Sequence, residues 1–326
     1  MNNPATPPPI FKDRSAGLFV FGLLTILGGV VNGLMVPSLI GTASINAANG
    51  TSAGGFQTVL PALSVFLILA IANIWLGIGS ILKRRWARAL LLISSWFWLI
   101  FGSLTTATML FVMPVIMKAM PQTGETALSP GVLTSLSLFP VGFCFVTFVL
   151  VPLTYLLFYR SPHVRATCEA ASPTPCWTDT CPLPVLALAL WLGAGTPCLL
   201  LVGLFGSAPM PLFGLILSGW TARLLCLALA ALWGWLAWNL YRLSLQAWWI
   251  TGLVFLLYMV SSVLTFSLHS LGNLYDTAHV SGKEAQAILD SPLMHIYLLA
   301  SPVFFTLLLF GYLLFIRKYF VRPSIT

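Results

Sequence analysis

The chain has 326 residues, 59% of them hydrophobic and only 7% charged, with a formal net charge of +8. Soluble domains carry about 25% charged residues, so the composition excludes a soluble fold, which could not cover its surface with so few charges. The positive charge is no nucleic-acid signal either, because it sits in short clusters at the ends of apolar runs and forms no basic, base-reading face.

A bilayer supplies the missing apolar solvent, and runs of about 20 apolar residues are what crosses it. The N-terminus (MNNPATPPPIFKDRS) is polar, and Pro7, Pro8 and Pro9 favour a short extended tail over residues 1–16. The first apolar run continues from Leu18 to Ile40, too long for a cleavable signal-peptide core. It is expected to remain as an anchor and first span. Further runs follow at Val59–Leu82, Ala89–Met117, Leu136–Tyr159, Leu183–Phe205, Leu217–Leu240, Ala247–Leu271 and Met294–Ile316. Each can cross about 30 Å of hydrocarbon at a rise of about 1.5 Å per residue. They are apolar all round and do not alternate every second residue, which predicts helices and not a β-barrel. The third run is the longest and is expected to tilt or to end near Pro114.

Basic residues retain loops on the cytoplasmic side of a membrane. With the N-terminus inside, the inner loops and tails hold Lys12, Arg14, Lys83, Arg84, Arg85, Arg88, Arg160, Arg165, Arg242, Arg317, Lys318 and Arg322. The outer loops hold only Lys118 and Lys283, with Arg223 inside a span. This bias predicts that both termini are cytoplasmic.

Four runs precede the polar interval 161–182 and four follow it, and the two sets match in order. Pro9 and Asp13 pair with Pro175 and Asp179. Leu82, Arg84 and Ala89 pair with Leu240, Arg242 and Ala247. Ser129-Pro130 and Pro140 pair with Ser291-Pro292 and Pro302, and Tyr155-Leu-Leu-Phe-Tyr-Arg160 pairs with Tyr312-Leu-Leu-Phe-Ile-Arg317. The expected architecture is an all-α polytopic membrane protein of eight transmembrane helices in two parallel four-helix repeats, residues 17–160 and 183–317, with a cytoplasmic tail at 318–326. An even number of spans per repeat relates the halves by an axis along the membrane normal.

The turn Lys83-Arg84-Arg85-Trp86-Ala87-Arg88 is the densest basic cluster. Lys83, Arg84, Arg85 and Arg88 are the candidate contacts for anionic lipid headgroups, at roughly 1 kcal/mol per basic residue near the surface. The plainer reading is an anchor for the hairpin, with Trp86 at headgroup level. Together with the Tyr155-to-Arg160 helix ending, this Trp-Ala-Arg turn resembles that of uncharacterised bacterial polytopic membrane proteins with four-helix units. The resemblance covers about half of one repeat and implies a bacterial inner membrane, with no activity and no site residue. The second half departs from it at Tyr241-Arg-Leu-Ser-Leu-Gln246.

Interval 161–182 carries His163, Cys168, Cys176 and Cys181, enough groups for a tetrahedral zinc site. Their spacing lacks the Cys-x2-Cys knuckle of recognisable zinc sites, and a reducing compartment disfavours a structural disulfide. Free thiols in a flexible linker are expected. Cys144, Cys198 and Cys226 fall within spans as small apolar residues. Asp13 and Asp179 each precede a membrane helix and are candidate caps, with Phe11 and Trp177 resting at the interface.

Arg223 is the candidate substrate contact. A charge inside a span is costly and marks a functional hypothesis by default, with an anionic group arriving from outside as its ligand. It also lies near a helix end, where its stem can snorkel outward past Trp220. His269, His279 and His295 gather on the outer side with Asp276, Glu284 and Asp290, groups able to ligate copper or zinc. Ser281-Gly-Lys-Glu284 reads as a capping box. Eight helices in two parallel halves also resemble haem A synthase, and that resemblance implies histidine pairs holding haem in each half. The first half has no histidine within a span, so the likeness ends at helix count.

Signatures of a zinc metalloprotease, a serine nucleophile elbow and a phosphate loop are missing, and no span contains a carboxylate for a proton relay. Gly29 and Gly33 form a Gly-x-x-x-Gly pair for close helix packing. Asn49-Gly-Thr51 matters as a sequon only in a eukaryotic secretory pathway. The favoured reading is a non-catalytic structural or interaction protein, without cofactor or bound metal, that engages membrane lipids or another membrane protein. Two alternatives stay open: a transporter or channel for a neutral or weakly anionic apolar solute, and a metal- or haem-dependent membrane oxidoreductase.

Overall fold

A computed structural model of the chain describes residues 11–48, 56–119, 130–206, 210–268 and 292–321. Helices α1 (Ser15–Ala48), α2 (Phe56–Ile81) and α3 (Arg85–Ala119) come first. The fourth crossing is α4 (Pro130–Phe145), a π-helical segment Val146–Leu150 and α5 (Val151–Arg160). A short helix α6 (Pro162–Ala171) and a 3-10 turn (Trp177–Asp179) follow. Then come α7 (Leu183–Phe205), strands β1 (Met210–Leu212) and β2 (Leu215–Leu217), α8 (Gly219–Tyr241), α9 (Leu245–Leu268), α10 (Pro292–Ile316) and α11 (Lys318–Val321). Among the described residues, eight helices are long and apolar enough to cross a membrane, four before α6 and four after it. The chain is a multi-pass helical membrane protein. Helix α3 runs through Pro114 to Ala119 and does not end near the proline, since neighbouring groups can satisfy what a membrane-helix proline frees.

The chain divides into two units: one holds residues up to Val31, Ala70–Met113 and the chain from α4 through Thr180; the other holds the remainder. In the first, α1 and α2 approach through small residues. A Cβ on Gly77 would lie 2.6 Å from the Gly22 carbonyl oxygen, and one on Gly29 would lie 2.9 Å from that of Ala70. Membrane helices gain no hydrophobic drive from meeting each other, so close backbone contact of this kind carries their packing. Gly22, two turns earlier, shares this face with Gly29.

Pro152 explains the π-helical segment. Lacking an N–H, it cannot bond the carbonyl four residues back, and the Val151 N–H reaches instead to Val146, an i to i−5 bond. The Phe148 carbonyl lies directly over Gly102 of α3, where a Cβ would collide with it. Buried hydroxyls complete the interior: Ser80 Oγ donates to the Leu18 carbonyl at 3.1 Å and shares a 2.7 Å hydrogen bond with Tyr159 OH. Tyr155 OH donates to the Phe21 carbonyl at 3.3 Å.

Residues 161–180 are part of this first unit, which corrects the expectation of a flexible linker. Ser161 precedes α6 and Pro162 opens it, a favoured first helical residue. Val164 and Cys168 stand one turn apart, at 0% and 1% exposure, in one cluster with Leu18, Leu91, Tyr155 and Tyr159. Ser172-Pro173 then closes the helix, because the residue before a proline avoids helical geometry.

In the second unit α7 packs along α8 and α9 along α10. Trp191, Trp233, Phe255 and Phe305 form its aromatic centre, with ring centroids 5.5–6.2 Å apart. Tyr312 OH donates to the Pro184 carbonyl at 2.6 Å. Between α7 and α8, β1 and β2 form a two-residue hairpin. Its central residues Phe213 and Gly214 have φ of 45° and 83°, as hairpin turns of this length require.

The turns after α2 and α8 share one geometry. Lys83 and Leu243 take φ of 54° and 57°. The Lys83 and Arg84 N–H groups bond Ser80 and Gly79, and the Leu243 and Ser244 N–H groups bond Leu240 and Asn239. Each is a Schellman ending with a side chain where glycine is usual. Aligning them places Ala87 opposite Ala247, both at 0% exposure. That register is two residues from the pairing of Ala89 with Ala247 read from side chains.

Candidate functional site

The densest polar constellation among the described residues surrounds the α2–α3 turn. Arg85, the first residue of α3, places Nη2 3.3 Å from Glu169 Oε1 and Nη1 3.7 Å from Asp179 Oδ2. Arg165 Nε donates to the same Glu169 oxygen at 2.7 Å, one turn away on α6. The segment before α1 closes the other side. The Lys12 N–H donates to His163 Nδ1 at 3.4 Å and the Arg14 N–H to Thr167 Oγ1 at 3.2 Å. The Phe11 ring meets His163 edge-on at 6.0 Å, so Phe11 packs on α6.

Asp13 accepts from the Ser15 N–H at 3.0 Å and the Ser15 hydroxyl at 2.6 Å. It thereby caps α1 and holds its own carboxyl below the usual carboxylate range. Asp179 is not the cap of α7. Its carboxylate accepts from the Cys176 N–H at 3.0 Å and closes the 3-10 turn, while Pro182 precedes α7. The four candidate lipid contacts therefore occupy different surroundings. Arg85 is ion-paired and Arg84 is exposed. Arg88 has a buried Nε that meets no hydrogen-bond partner among the described residues.

The hydrogen bond from Arg165, with the nearby charges of Arg165 and Arg85, holds the Glu169 carboxyl below its usual value of 4.5. A carboxylate with a depressed folded pKa contributes stability that is complete above the unfolded value and lost as pH falls through the folded one. The contribution of Glu169 to the docking of α6 is therefore expected to be constant from pH 7 to 5.5 and to fall away below about pH 4. An exposed pair contributes about 0.2–1 kcal/mol. Glu169→Gln should accordingly speed amide exchange in α6 at pH 7 by up to about fivefold. Unchanged exchange would mean that apolar burial alone holds the helix.

Burial raises the Cys168 thiol to about 11 despite Arg88 nearby, and the Cys181 thiol to about 11. At pH 8 a thiol of that pKa is thiolate to about one part in a thousand, and the thiolate is the reactive form. In the native protein N-ethylmaleimide should modify half-buried Cys176 at least about 100-fold faster than Cys168, read by peptide mass spectrometry. Equal rates would show α6 detached. No three His, Cys, Asp or Glu side chains converge as a metal-holding group among the described residues.

Arg223 stands in the first turns of α8. Its Nε donates to the Gly206 carbonyl at 3.1 Å, and its guanidinium lies 5.3 Å from the Trp220 ring centroid. Gly206 ends α7, so the cation satisfies a terminal carbonyl at the negative end of a helix dipole. Sequence reasoning gave Trp220 as its neighbour but could not see Gly206. His295 lies exposed in α10, while His269, His279, Asp276, Glu284, Asp290, the Ser281–Glu284 box and the Asn49 sequon lie outside the described residues.

Sequence reasoning also missed the hairpin's seat. The Phe213 N–H donates to Ser261 Oγ and the Gly214 N–H to Thr265 Oγ1, both at 2.9 Å. Two hydroxyls one turn apart on α9 thus receive the two turn amides. The available signal was Phe213-Gly214 between short apolar runs. Comparison with family models, curated proteins and solved structures found no match.

Proposed function

We propose that the chain is a non-catalytic structural or interaction protein of a bacterial inner membrane, with both termini and the α6 segment on the cytoplasmic side. One observation carries this reading: among the described residues, several of the polar side chains that could carry chemistry are engaged in holding the fold. Arg223 caps α7, Arg85 and Glu169 fasten α6, and Ser80 and Tyr159 bond within the first unit. Two parallel repeats, residues 17–160 and 183–317, are part of the proposal. The shared turn geometry at Lys83 and Leu243, and tyrosines bonding the first helix of each half, support it. Lys83 and Arg84 are the proposed headgroup contacts of the first half, in keeping with the exposure of Arg84.

The test is recovery of the full chain from its own membrane in mild detergent, with quantitative mass spectrometry. A second membrane protein at near-equal amount is the expected result. Recovery of the chain alone, with solute flux in reconstituted vesicles that Arg223→Gln abolishes, would overturn the reading in favour of a carrier.

A further inference from the structure

The second unit carries an apolar groove where α9 meets α10. It encloses about 220 Å³ and is lined by Trp249, Gly252, Leu253, Leu256, Phe310 and Leu314, with Trp248 and Leu313 beside them. Its floor is fixed, since Trp248 Nε1 donates to the Leu313 carbonyl at 2.9 Å. Gly252 opens one wall: a Cβ there would only reach contact with Leu313 at 3.7 Å and Phe310 at 3.9 Å, so the space belongs to the groove. Trp249, Leu253 and Leu314 are exposed along it, which turns the groove outward from the helix pair.

One end of the groove is charged. The Arg317 guanidinium lies 5.9 Å from the Trp248 ring centroid, and Lys318 Nζ lies 4.7 Å from that of Phe315. Both cations are exposed. The lining is almost wholly apolar: its side-chain polar groups are two indole N–H groups, of which that of Trp248 is bonded to Leu313, and the volume is below the roughly 300–1,000 Å³ of small-molecule pockets. A soluble anion would use the cations and leave the groove empty. An occupant that matches both features has a thin apolar chain and an anionic group at one end.

We propose that this groove seats one acyl chain of an anionic phospholipid, whose phosphate lies against Arg317 and Lys318. The ring contacts hold the two cations at the helix end, where Trp and basic side chains favour the headgroup level. Such a site is independent of whether the chain is a scaffold or a carrier, and it draws on other residues than the Lys83–Arg84 contacts.

The test titrates the purified full chain in mild detergent with dioleoyl phosphatidylglycerol or dioleoyl phosphatidylcholine, reading the tightest binding event by native mass spectrometry. Two cations near a headgroup predict a preference for phosphatidylglycerol of about 30-fold. Arg317→Gln with Lys318→Gln should abolish that preference. Leu253→Trp, at an exposed position that costs no core packing, should fill the groove and weaken both lipids while keeping the preference. A preference unchanged in the double variant, or both affinities unchanged by Leu253→Trp, would overturn the proposal. So would loss of the tightest event on Lys83→Gln with Arg84→Gln.

Discussion

Gly77→Val should destabilise the first unit by about 3 kcal/mol, the upper part of the range for overpacked interiors. Even a single Cβ at this position would lie 2.6 Å from the Gly22 carbonyl oxygen and 2.6 Å from Ile26 Cγ1. Backbone oxygen cannot move aside as a side-chain tip can, so α1 and α2 must separate. That separation would also disturb Ser80, one turn further along α2, which bonds Leu18 and Tyr159. Gly28→Val is the control, because a Cβ there meets nothing within 4 Å. Thermal unfolding in one detergent should show a large shift for Gly77→Val and almost none for Gly28→Val. Equal shifts would mean that valine propensity, and not close approach, sets the cost.

Thr265→Val should release the hairpin. The substitution keeps the shape and removes the oxygen that accepts the Gly214 N–H. Losing such a hydrogen bond costs about 0.5–1.5 kcal/mol, which corresponds to about a 2- to 13-fold rise in local opening. Phe213 adds to the release, since φ of 45° is unfavourable for a residue with a Cβ, and the α9 hydroxyls hold it there. Hydrogen exchange over residues 210–217 is the readout. Exchange matching that of the unaltered chain would assign the hairpin's seat to apolar contact.

How much of this was legible in sequence depends on which solvent each residue meets. The spans were legible because a helix that crosses lipid must be a long apolar run: the reading of Leu183–Phe205 matches α7 end for end. Helix ends beyond the hydrocarbon were harder, and α1 runs on past Ile40 to Ala48. The α6 segment was misread as flexible because its polar composition outweighed a short pattern. Val164 and Cys168 one turn apart, Arg165 and Glu169 one turn apart, and Pro162 at the start together spell an amphipathic helix. Arg223 shows the limit of sequence. Its nearness to a helix end was readable, but its acceptor at Gly206 depends on how α7 ends beside α8.

Hydrogen exchange across residues 161–180 of the full chain in mild detergent tests most directly the claim that these polar groups are engaged in the fold. Protection of the α6 amides from Arg165 onward, with Cys168 among the slowest, is the expected result, reduced when Arg85→Gln removes the contact to Glu169 and Asp179. Exchange at the rate of an unstructured peptide would contradict the account and return His163, Cys168, Cys176 and Cys181 to a free linker.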